Sequence, residues 1–517
     1  MAKEMPEEKK PGIIKRFLRC IVLAVLLFLI AMALIFQAPW KVTILLLIIL
    51  LAYTVLPKPA KKWFWLSVGT AVIALIVWVF LPDRGQWTPY KHNFEKELKA
   101  LNDKYAIPDE ENAAIIYNEL LENYESGDFI SNLNTYDLAW LEPWLSEDYP
   151  TLAQWLAGQE KTIATLLKAS KIEKCQFRID EDSLRSILGP SGRPHLGVMK
   201  ELALLLVCAA NNDLAEKRTE QGLEKQITLL RMSEHLRQQP VTVDMLTGIA
   251  FQKFALSQIN ALLVTANPKE PYLTKLEDVI TGIELDWKAD WTRIAESEKL
   301  GVMQNLFWTL YETNTQGKIR ITVAEYFWHF QAISQQEAPY WITRLAKIES
   351  ILSWLFLPHT PKEAARIIDK TLQKYGSMGN LDSRWKQRSR ASSLTSLGFN
   401  FSYIIRLHVD RYVRSLHDFF MHLKSDKRAT RVIIALRQYK NNHGCWPEKL
   451  DDIRALAPAE TFVDSLNGGS FVYKLTEENF TLYSKGKNNI DEGGRRDTRR
   501  RRKTGADDIL IWPPRRR

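Results

Sequence analysis

Three apolar segments lie within the first 81 residues, and no comparable segment follows in the rest of the 517-residue chain. They run from about Phe17 to Phe36, Val42 to Leu56 and Phe64 to Leu81. A helix needs roughly 20 apolar residues to cross a bilayer, with about 17 as the lower limit. The second segment reaches that limit only if Trp40 and Lys41 lie at the interface. The pattern predicts three transmembrane helices, with a cleaved signal peptide followed by a buried hairpin as the alternative.

Basic residues flank these segments unevenly. Five lie at or before the start of the first segment and three lie between the second and third segments: Lys9, Lys10, Lys15, Arg16 and Arg19, then Lys58, Lys61 and Lys62. Because Lys and Arg accumulate on the cytoplasmic side, residues from about Pro82 onward are predicted to be extracytoplasmic. The predicted localisation is the inner (cytoplasmic) membrane, multi-pass, with the lipid bilayer as a partner. If the second segment does not span, the large domain would instead be cytoplasmic.

The net charge of +10 is concentrated near the C-terminus. Residues 495–517 hold nine Arg and one Lys against three Asp, which is 10 − 3 = +7. The chain elsewhere is close to neutral, so no nucleic-acid partner is expected. One basic cluster is predicted to bind phosphates or anionic lipid head groups, with a solvated loop as the alternative. Its members are Arg495, Arg496, Arg499, Arg500, Arg501, Arg502 and Lys503.

The cysteines set a looser limit. Three of the four, Cys175, Cys208 and Cys445, follow the apolar segments without close spacing. That pattern is typical neither of a disulfide framework nor of a zinc site. One disulfide or three thiols both fit the sequence.

The middle of the chain has helical periodicity from about residue 90 to residue 439. Residues 197–237 predict an αα-hairpin, and a third helix is predicted over 243–264. Further helices are predicted over 109–124, 150–170, 273–312, 320–337, 361–375 and about 395–442. The hairpin is similar to a tetratricopeptide unit, but the roughly 34-residue period does not recur. An irregular helical domain is therefore expected.

No catalytic motif is present. The sequence lacks a phosphate-binding loop, a dinucleotide-binding turn, a nucleophile elbow and an H-E-x-x-H pair. His408 and His417 are nine residues apart, which places them on opposite faces of one helix, where they cannot share a metal ion. The sequence predicts no catalytic and no cofactor-binding residues, so a non-enzyme is favoured over an enzyme.

The C-terminal stretch 428–512 combines a helix ending at Gly444, a hairpin of 471–475 with 479–484, and a last strand in 507–514. This order resembles the C-terminal domain of the type II secretion major pseudopilin. The matching residues are Ala435, Leu436, Tyr439, Gly444, Pro447, Tyr483, Ser484, Gly486, Asp507, Asp508 and Ile509. The resemblance implies a small α+β module with a short antiparallel sheet. The N-terminus lacks a pilin leader, so polymerisation as a pilin is not expected.

The resemblance also implies a calcium candidate, because some pseudopilins bind calcium in the loop before the last strand. Asn489, Asp491 and Asp508 occupy the corresponding positions. The basic cluster falls inside the same loop and would repel a divalent cation. No other cofactor is expected.

A second resemblance is to uncharacterised bacterial membrane-anchored proteins that pair a helical region with such a tail. It is carried by residues 148–170, 197–237 and 244–256. These proteins have no assigned activity, so the resemblance indicates architecture rather than function.

Together these patterns predict a mainly α fold. Its parts would be a cytoplasmic tail (1–16), three transmembrane helices (17–81), an irregular α-helical extracytoplasmic domain (82–394), and a long helix plus small antiparallel sheet (395–514). The predicted function is a membrane-anchored envelope protein that acts as a non-catalytic protein-interaction or scaffold module related to secretion, with protein partners in the envelope. The alternative is a hydrolase of envelope polymers whose site is assembled from distant residues.

Overall fold

The computed structural model describes residues 87–123, 139–181, 193–266, 268–317, 319–321, 360–376, 401–496 and 505–514. This part of the chain is mainly helical and contains two small antiparallel sheets. The helices are α1 (Glu95–Lys104), α2 (Ala113–Asn123), α3 (Pro150–Gly158), α4 (Glu160–Ala169), α5 (Pro194–Ala215), α6 (Thr219–Arg237), α7 (Thr242–Thr265), α8 (Glu270–Gly282), α9 (Trp287–Leu310), α10 (Pro361–Gly376) and α11 (Phe401–His443). Short 3₁₀ helices cover Asp109–Glu111, Leu450–Leu456 and Ala459–Phe462.

Proline and glycine mark several helix ends. Helix α10 begins at Pro361, where the missing N–H costs nothing, and the Thr360 hydroxyl accepts the Glu363 N–H at 3.2 Å. Helix α11 ends at His443 and is followed by Gly444, whose φ of +79° favours a residue without a Cβ. The Gly444 N–H donates to the Lys440 carbonyl at 2.8 Å. The predicted helix end at Gly444 is confirmed, and the predicted helix over 361–375 corresponds to α10.

The first sheet was not predicted. It consists of β1 (Trp87–Pro89), β2 (Tyr311–Asn314) and β3 (Ile319–Ile321), in that order and antiparallel. The predicted 273–312 helix is instead divided into α8 and α9, and its last residues enter β2. The predicted 320–337 helix begins within β3, and its remainder lies outside the described residues.

The second sheet lies where the sequence predicted strands. It consists of β4 (Val472–Leu475), β5 (Phe480–Ser484) and β6 (Ile509–Trp512), all antiparallel. The β4–β5 pair is the predicted hairpin. A register irregularity between Leu482 and Tyr483 shifts the pairing of β5 with β6. Such a bulge bends the strand locally, here next to the loop that carries the acidic residues discussed below.

The chain divides into two compact units. The first contains the described residues of Met1–His92 and Val302–Asp410, including the first sheet and α10. In it, the Tyr90 ring packs edge-on against Phe307 and Tyr311, with centroids 6.0 and 6.5 Å away. These buried aromatic contacts give the small sheet an apolar base.

The second unit contains the described residues of Asn93–Gly301 and Arg411–Arg517. Its core lies among α5, α6 and α7, where Leu202, Leu206, Leu230 and Ile259 are fully buried. Each such side chain contributes about 1.5–3 kcal/mol by leaving water. Gly248 lets α7 approach α6 closely, because a Cβ at this position would lie 2.3 Å from the backbone nitrogen of Arg237.

The transmembrane part of the predicted fold class is corrected by the structure. Among the described residues, no helix is both long enough and apolar enough to cross a membrane. The long helices α5 and α7 instead bury polar side chains such as Asn211, Asp244 and Gln252 within a packed bundle. The three apolar segments of residues 17–81 lie outside the described residues. Three transmembrane helices and a multi-pass inner-membrane localisation therefore receive no support, and the fold class is mainly helical with two small antiparallel sheets.

Candidate functional site

Three carboxylates converge beside the second sheet. Glu492 lies in the loop after β5, and Asp507 and Asp508 immediately precede β6. One carboxylate oxygen from each lies within 4.8 Å of the other two. Glu492 Oε2, Asp507 Oδ1 and Asp508 Oδ1 are all buried, and none accepts a hydrogen bond from the part of the chain that the structure describes. We call these three residues the carboxylate cluster.

The second oxygen of each carboxylate holds the cluster in place. Asp508 Oδ2 accepts the N–H groups of Glu492 and Gly494 at 3.0 and 2.8 Å. Asp507 Oδ2 accepts the N–H groups of Lys487 and Asn488 at 2.9 and 3.3 Å, and Glu492 Oε1 accepts Asn488 Nδ2 at 2.6 Å. Hydrogen bonds of this kind orient the ligands of metal sites. The loop thus presents one uncompensated oxygen from each carboxylate.

Gly486 makes room for this arrangement. Its φ is +62°, in the left-handed region that glycine adopts at no steric cost. A Cβ at this position would lie 2.2 Å from Asp507 Oδ1 and 2.4 Å from the Asp507 carbonyl oxygen. The Gly486 N–H donates to the Ser484 hydroxyl at 3.0 Å, which fixes the turn after β5. The close approach of the loop to Asp507 therefore requires glycine.

The Glu492 and Asp508 carboxylates repel each other when both are charged. Burial, as the largest cause, and the neighbouring Glu492 carboxylate together raise the pKa of Asp508 to about 6. A divalent cation would remove this repulsion and provide the absent partner for all three oxygens. Calcium takes six to eight oxygen ligands, including carboxylates, in flexible geometry. The three residues fit calcium as part of such a ligand set.

The sequence placed the calcium candidate at Asn489, Asp491 and Asp508, and the structure brings only Asp508 into the cluster. Asp491 Oδ1 accepts the Tyr483 hydroxyl at 2.7 Å and the Gly493 N–H at 2.9 Å. These bonds lower the pKa of Asp491 and occupy that oxygen. Asn489 adopts a left-handed turn conformation, with φ +58°.

Glu492 and Asp507 were not predicted as cation ligands, but each adjoins a residue that was, Asp491 and Asp508. Their signal was the density of acidic residues around 491–492 and 507–508.

The basic cluster begins at the same place. Arg495 Nε donates to the Glu492 carbonyl oxygen at 2.9 Å, and Arg496 forms a backbone bridge with Asp507. Both residues are exposed. Arg499 to Lys503 lie outside the described residues. Arg495 thus binds backbone rather than the carboxylates themselves.

A second concave region, the helical cleft, lies in the second unit. It is open, about 1030 Å³ in volume, and is lined by residues 170–173 after α4, by α6 and α8, by the 283–286 connection and by the start of α9. His235, Glu234 and Asp290 lie along it, which is the combination that a hydrolase would need.

These three residues are engaged in structural contacts. The two ring nitrogens of His235 lie 3.0 Å from the Tyr117 hydroxyl and 2.8 Å from the Ile172 carbonyl oxygen. Burial lowers the pKa of His235 to about 4, so the ring is neutral near pH 7. The buried Arg237 guanidinium pairs with both Glu234 and Asp290. Burial nevertheless raises the pKa of Asp290 to about 6. A neutral ring with both nitrogens occupied is poorly placed for proton transfer.

The cysteines offer no further chemistry in the described part of the chain. Cys175, Cys208 and Cys445 are all free thiols, the first two buried and the third exposed. Burial raises the pKa of the Cys208 thiol to about 12, which keeps it protonated and unreactive.

Comparison with known proteins identifies no relative. No family model matches the chain, and neither a curated protein nor a solved structure matches it. Function is therefore inferred from the contacts of the described residues.

Proposed function

We propose that the chain is a non-catalytic interaction or scaffold protein whose C-terminal module binds a divalent cation, with calcium fitting best. The observation that carries the cation site is the set of three buried carboxylate oxygens without a donor, on Glu492, Asp507 and Asp508. Buried polar groups are normally hydrogen-bonded, and a buried charge without a partner is costly. A bound cation supplies the partner.

The donor set favours calcium over other cations. All three candidate ligands are carboxylate oxygens, which hard cations prefer, and the cluster contains no sulfur or imidazole nitrogen. Magnesium demands near-ideal octahedral geometry and retains several waters, whereas calcium tolerates irregular protein cages. The ligands come from an irregular loop with left-handed turns at Gly486 and Asn489, which suits the more tolerant ion.

Cation binding would join two segments that are distant in sequence. Glu492 precedes the basic cluster and Asp507 follows it, so one ion would hold both ends of that stretch beside the sheet. A ligand that binds only the folded state stabilises it by mass action, by about 2.7 kcal/mol at a concentration 100 times its Kd. The module should therefore be more stable when calcium is present.

The test is calcium binding by the full chain after treatment with EDTA. Isothermal titration calorimetry should give saturable binding, and thermal unfolding should shift upward with calcium. The Asp508→Asn variant should lose both effects, and the Asp451→Asn variant should keep them, because Asp451 pairs with Arg454 on an exposed surface. Absence of binding to the unaltered protein, or undiminished binding to Asp508→Asn, would reject the site.

A second comparison distinguishes two sets of calcium ligands. One is the carboxylate cluster seen in the structure, and the other is the set predicted from the pseudopilin resemblance, Asn489, Asp491 and Asp508. Asp507→Asn should weaken calcium binding strongly, since Asp507 Oδ1 belongs to the cluster. Asp491→Asn should weaken it much less, because Asp491 already accepts hydrogen bonds from Tyr483 and Gly493. The opposite order would place the cation on Asp491 and Asn489.

A non-catalytic role is favoured over hydrolysis because His235, Glu234 and Asp290, the groups of the helical cleft that combine a ring nitrogen with carboxylates, are already paired. The resemblance of residues 428–512 to the pseudopilin domain is the basis for proposing a protein partner from a secretion system. Chemical crosslinking of the full chain in its native cells, followed by affinity purification, tests that proposal. Recovery of the chain without any crosslinked partner would count against it.

A further inference from the structure

A short motif lies at the turn of the β4–β5 hairpin, where β5 begins. Residues 479–481 are Asn-Phe-Thr. Asn, any residue except Pro, and then Ser or Thr is the pattern to which N-linked glycans are attached. The chain contains this pattern twice, and the other copy begins at Asn400, outside the described residues. Such a short pattern also arises by chance, so its place in the fold decides whether it can be used.

The turn that holds Asn479 lies at the surface. Residues 474–478, which lead into it, are all exposed. The Thr476 N–H donates to the Asn479 carbonyl oxygen at 2.8 Å, and the Asn479 N–H donates to the Thr476 hydroxyl at 3.1 Å. These two hydrogen bonds close the turn and fix the backbone of Asn479. The motif therefore begins at the tip of an ordered hairpin, where a large attached group has room.

The side chain of Asn479 leaves its nitrogen free. Its Oδ1 accepts the Phe480 N–H at 3.0 Å, which holds the amide in place. Its Nδ2 is accessible to solvent and donates no hydrogen bond to a described residue. The amide nitrogen is the atom to which an N-linked glycan is attached. The reacting atom is thus exposed, while the oxygen beside it is held.

The hydroxyl that completes the motif is also free. Phe480 and Leu482 are fully buried, and Thr481 between them is partly exposed. Because successive side chains of a strand point to opposite faces, Thr481 faces away from the core of the module. Its hydroxyl is accessible and forms no hydrogen bond with a described residue. The amide and the hydroxyl of the motif can therefore both be reached from solvent.

We propose that Asn479 is the attachment site of an N-linked glycan. The donor is an oligosaccharide joined through pyrophosphate to a lipid. In the transfer, a bond forms between Asn479 Nδ2 and the anomeric carbon of the first sugar, and the bond from that carbon to the phosphate oxygen breaks. The lipid pyrophosphate leaves, and Nδ2 gives one proton to a base of the transferase. Nothing is oxidised or reduced.

The position of Asn479 separates the glycan from the carboxylate cluster. Asn479 precedes β5, whereas the loop with Gly486 and Glu492 follows it. A strand rises about 3.3 Å per residue, so the five residues of β5 place the two sites roughly 15 Å apart. The exposed side chain of Leu475 lies opposite Phe480, next to the attachment point. A glycan at Asn479 would shield this apolar side chain and leave the carboxylate cluster uncovered.

Mass spectrometry of the full chain from its native cells tests the site. Trypsin cleaves after Lys474 and Lys485, and the peptide between them contains Asn479 as its single Asn. This peptide should be heavier by the mass of an oligosaccharide, and fragmentation should place the addition on Asn479. Recovery of the peptide in unmodified form alone would overturn the proposal.

Two substitutions at Thr481 test whether attachment depends on the motif. Thr481→Ala removes the hydroxyl and should lose the glycan, whereas Thr481→Ser keeps a hydroxyl and should retain it. Asn479→Gln should lose the glycan, and Asn400→Gln should leave the modification of this peptide unchanged. A glycan that persists on the peptide in Thr481→Ala would contradict attachment through the motif. The peptide from the unaltered protein decides the question if a variant folds poorly.

Discussion

Asp464 accepts a hydrogen bond from the Ser425 hydroxyl at 2.8 Å, and this contact joins the middle of α11 to the C-terminal module. The Asp464 carboxylate is fully buried. It also accepts bonds from the Ser484 hydroxyl at the end of β5, from Asn467 Nδ2 at 2.8 Å and from the Leu466 N–H at 3.0 Å. One carboxylate thus links the helix, the strand that leads to the carboxylate cluster, and the turn between them.

Removing this carboxylate should destabilise the module. Asp464→Ala leaves several buried donors without an acceptor, and each such donor costs about 1–3 kcal/mol. Urea unfolding should show a loss of roughly 3 kcal/mol or more, whereas Asp451→Ala should have little effect because Asp451 is exposed. Equal stability of the two variants would mean that Asp464 does not hold the module together.

The turn at Gly486 should be required for the carboxylate cluster. Gly486→Ala places a methyl group against Asp507, so the variant should lose calcium binding and about 2 kcal/mol or more of stability. Gly493→Ala is the matched control, since Gly493 also has a positive φ, +71°, but a Cβ there meets nothing within 4 Å. That control should cost about 1 kcal/mol and leave binding intact. Similar binding by both variants would show that contact with Asp507 is unimportant.

The contact between α6 and α7 should depend on Gly248 in the same way. A Cβ there would lie 2.3 Å from the Arg237 nitrogen and 2.6 Å from the Ser233 carbonyl oxygen, so Gly248→Ala must push two helices apart. Overpacking of this kind costs about 1–3 kcal/mol or more. Gly158→Ala, near the end of α3 in open space, should be neutral or slightly stabilising. Thermal unfolding of the two variants compares them directly.

The helices of the bundle could be predicted from the sequence because their residues show the periodicity of a helix. The predicted hairpin over 197–237 corresponds to α5 and α6, and the predicted helix over 243–264 corresponds to α7, with ends that differ by a few residues. Long runs of helix-favouring residues with few Gly or Pro are sufficient to predict such elements. The first sheet gave no such signal, because its strands are three or four residues long and β1 pairs with β2 across more than 200 residues of sequence.

The candidate sites were harder to predict for a different reason. Asp508 could be named from its position, but its partnership with Glu492 and Asp507 depends on the turn at Gly486 and on hydrogen bonds to loop N–H groups. These contacts orient one oxygen of each carboxylate, and they cannot be predicted from the spacing of residues in the sequence. The helical cleft likewise depends on contacts between helices that are distant in sequence, such as those of Tyr272 with Glu220 and of Lys275 with Glu224.

Stability should respond to acid through His235. Burial lowers the pKa of His235 to about 4 in the folded protein, against about 6.5 when unfolded. Between these values the unfolded state binds a proton that the folded state does not, so this residue's contribution to stability is complete above pH 6.5 and is lost as the pH falls toward 4. The loss is on the order of 3 kcal/mol. Asp290, with a pKa raised to about 6, changes stability in the opposite direction over part of this range.

The His235→Gln variant separates the pH-dependent contribution of His235 to stability from the opposite contribution of Asp290. Gln cannot be protonated, so the stability difference between the unaltered protein and His235→Gln should be largest near pH 7 and should shrink by pH 4. Urea unfolding of both proteins across this range measures the difference. Gln316→Ala alters an exposed residue that has no titratable group, so its difference from the unaltered protein should stay nearly constant with pH. A constant difference for His235→Gln as well would mean that His235 is protonated equally in the folded and unfolded states.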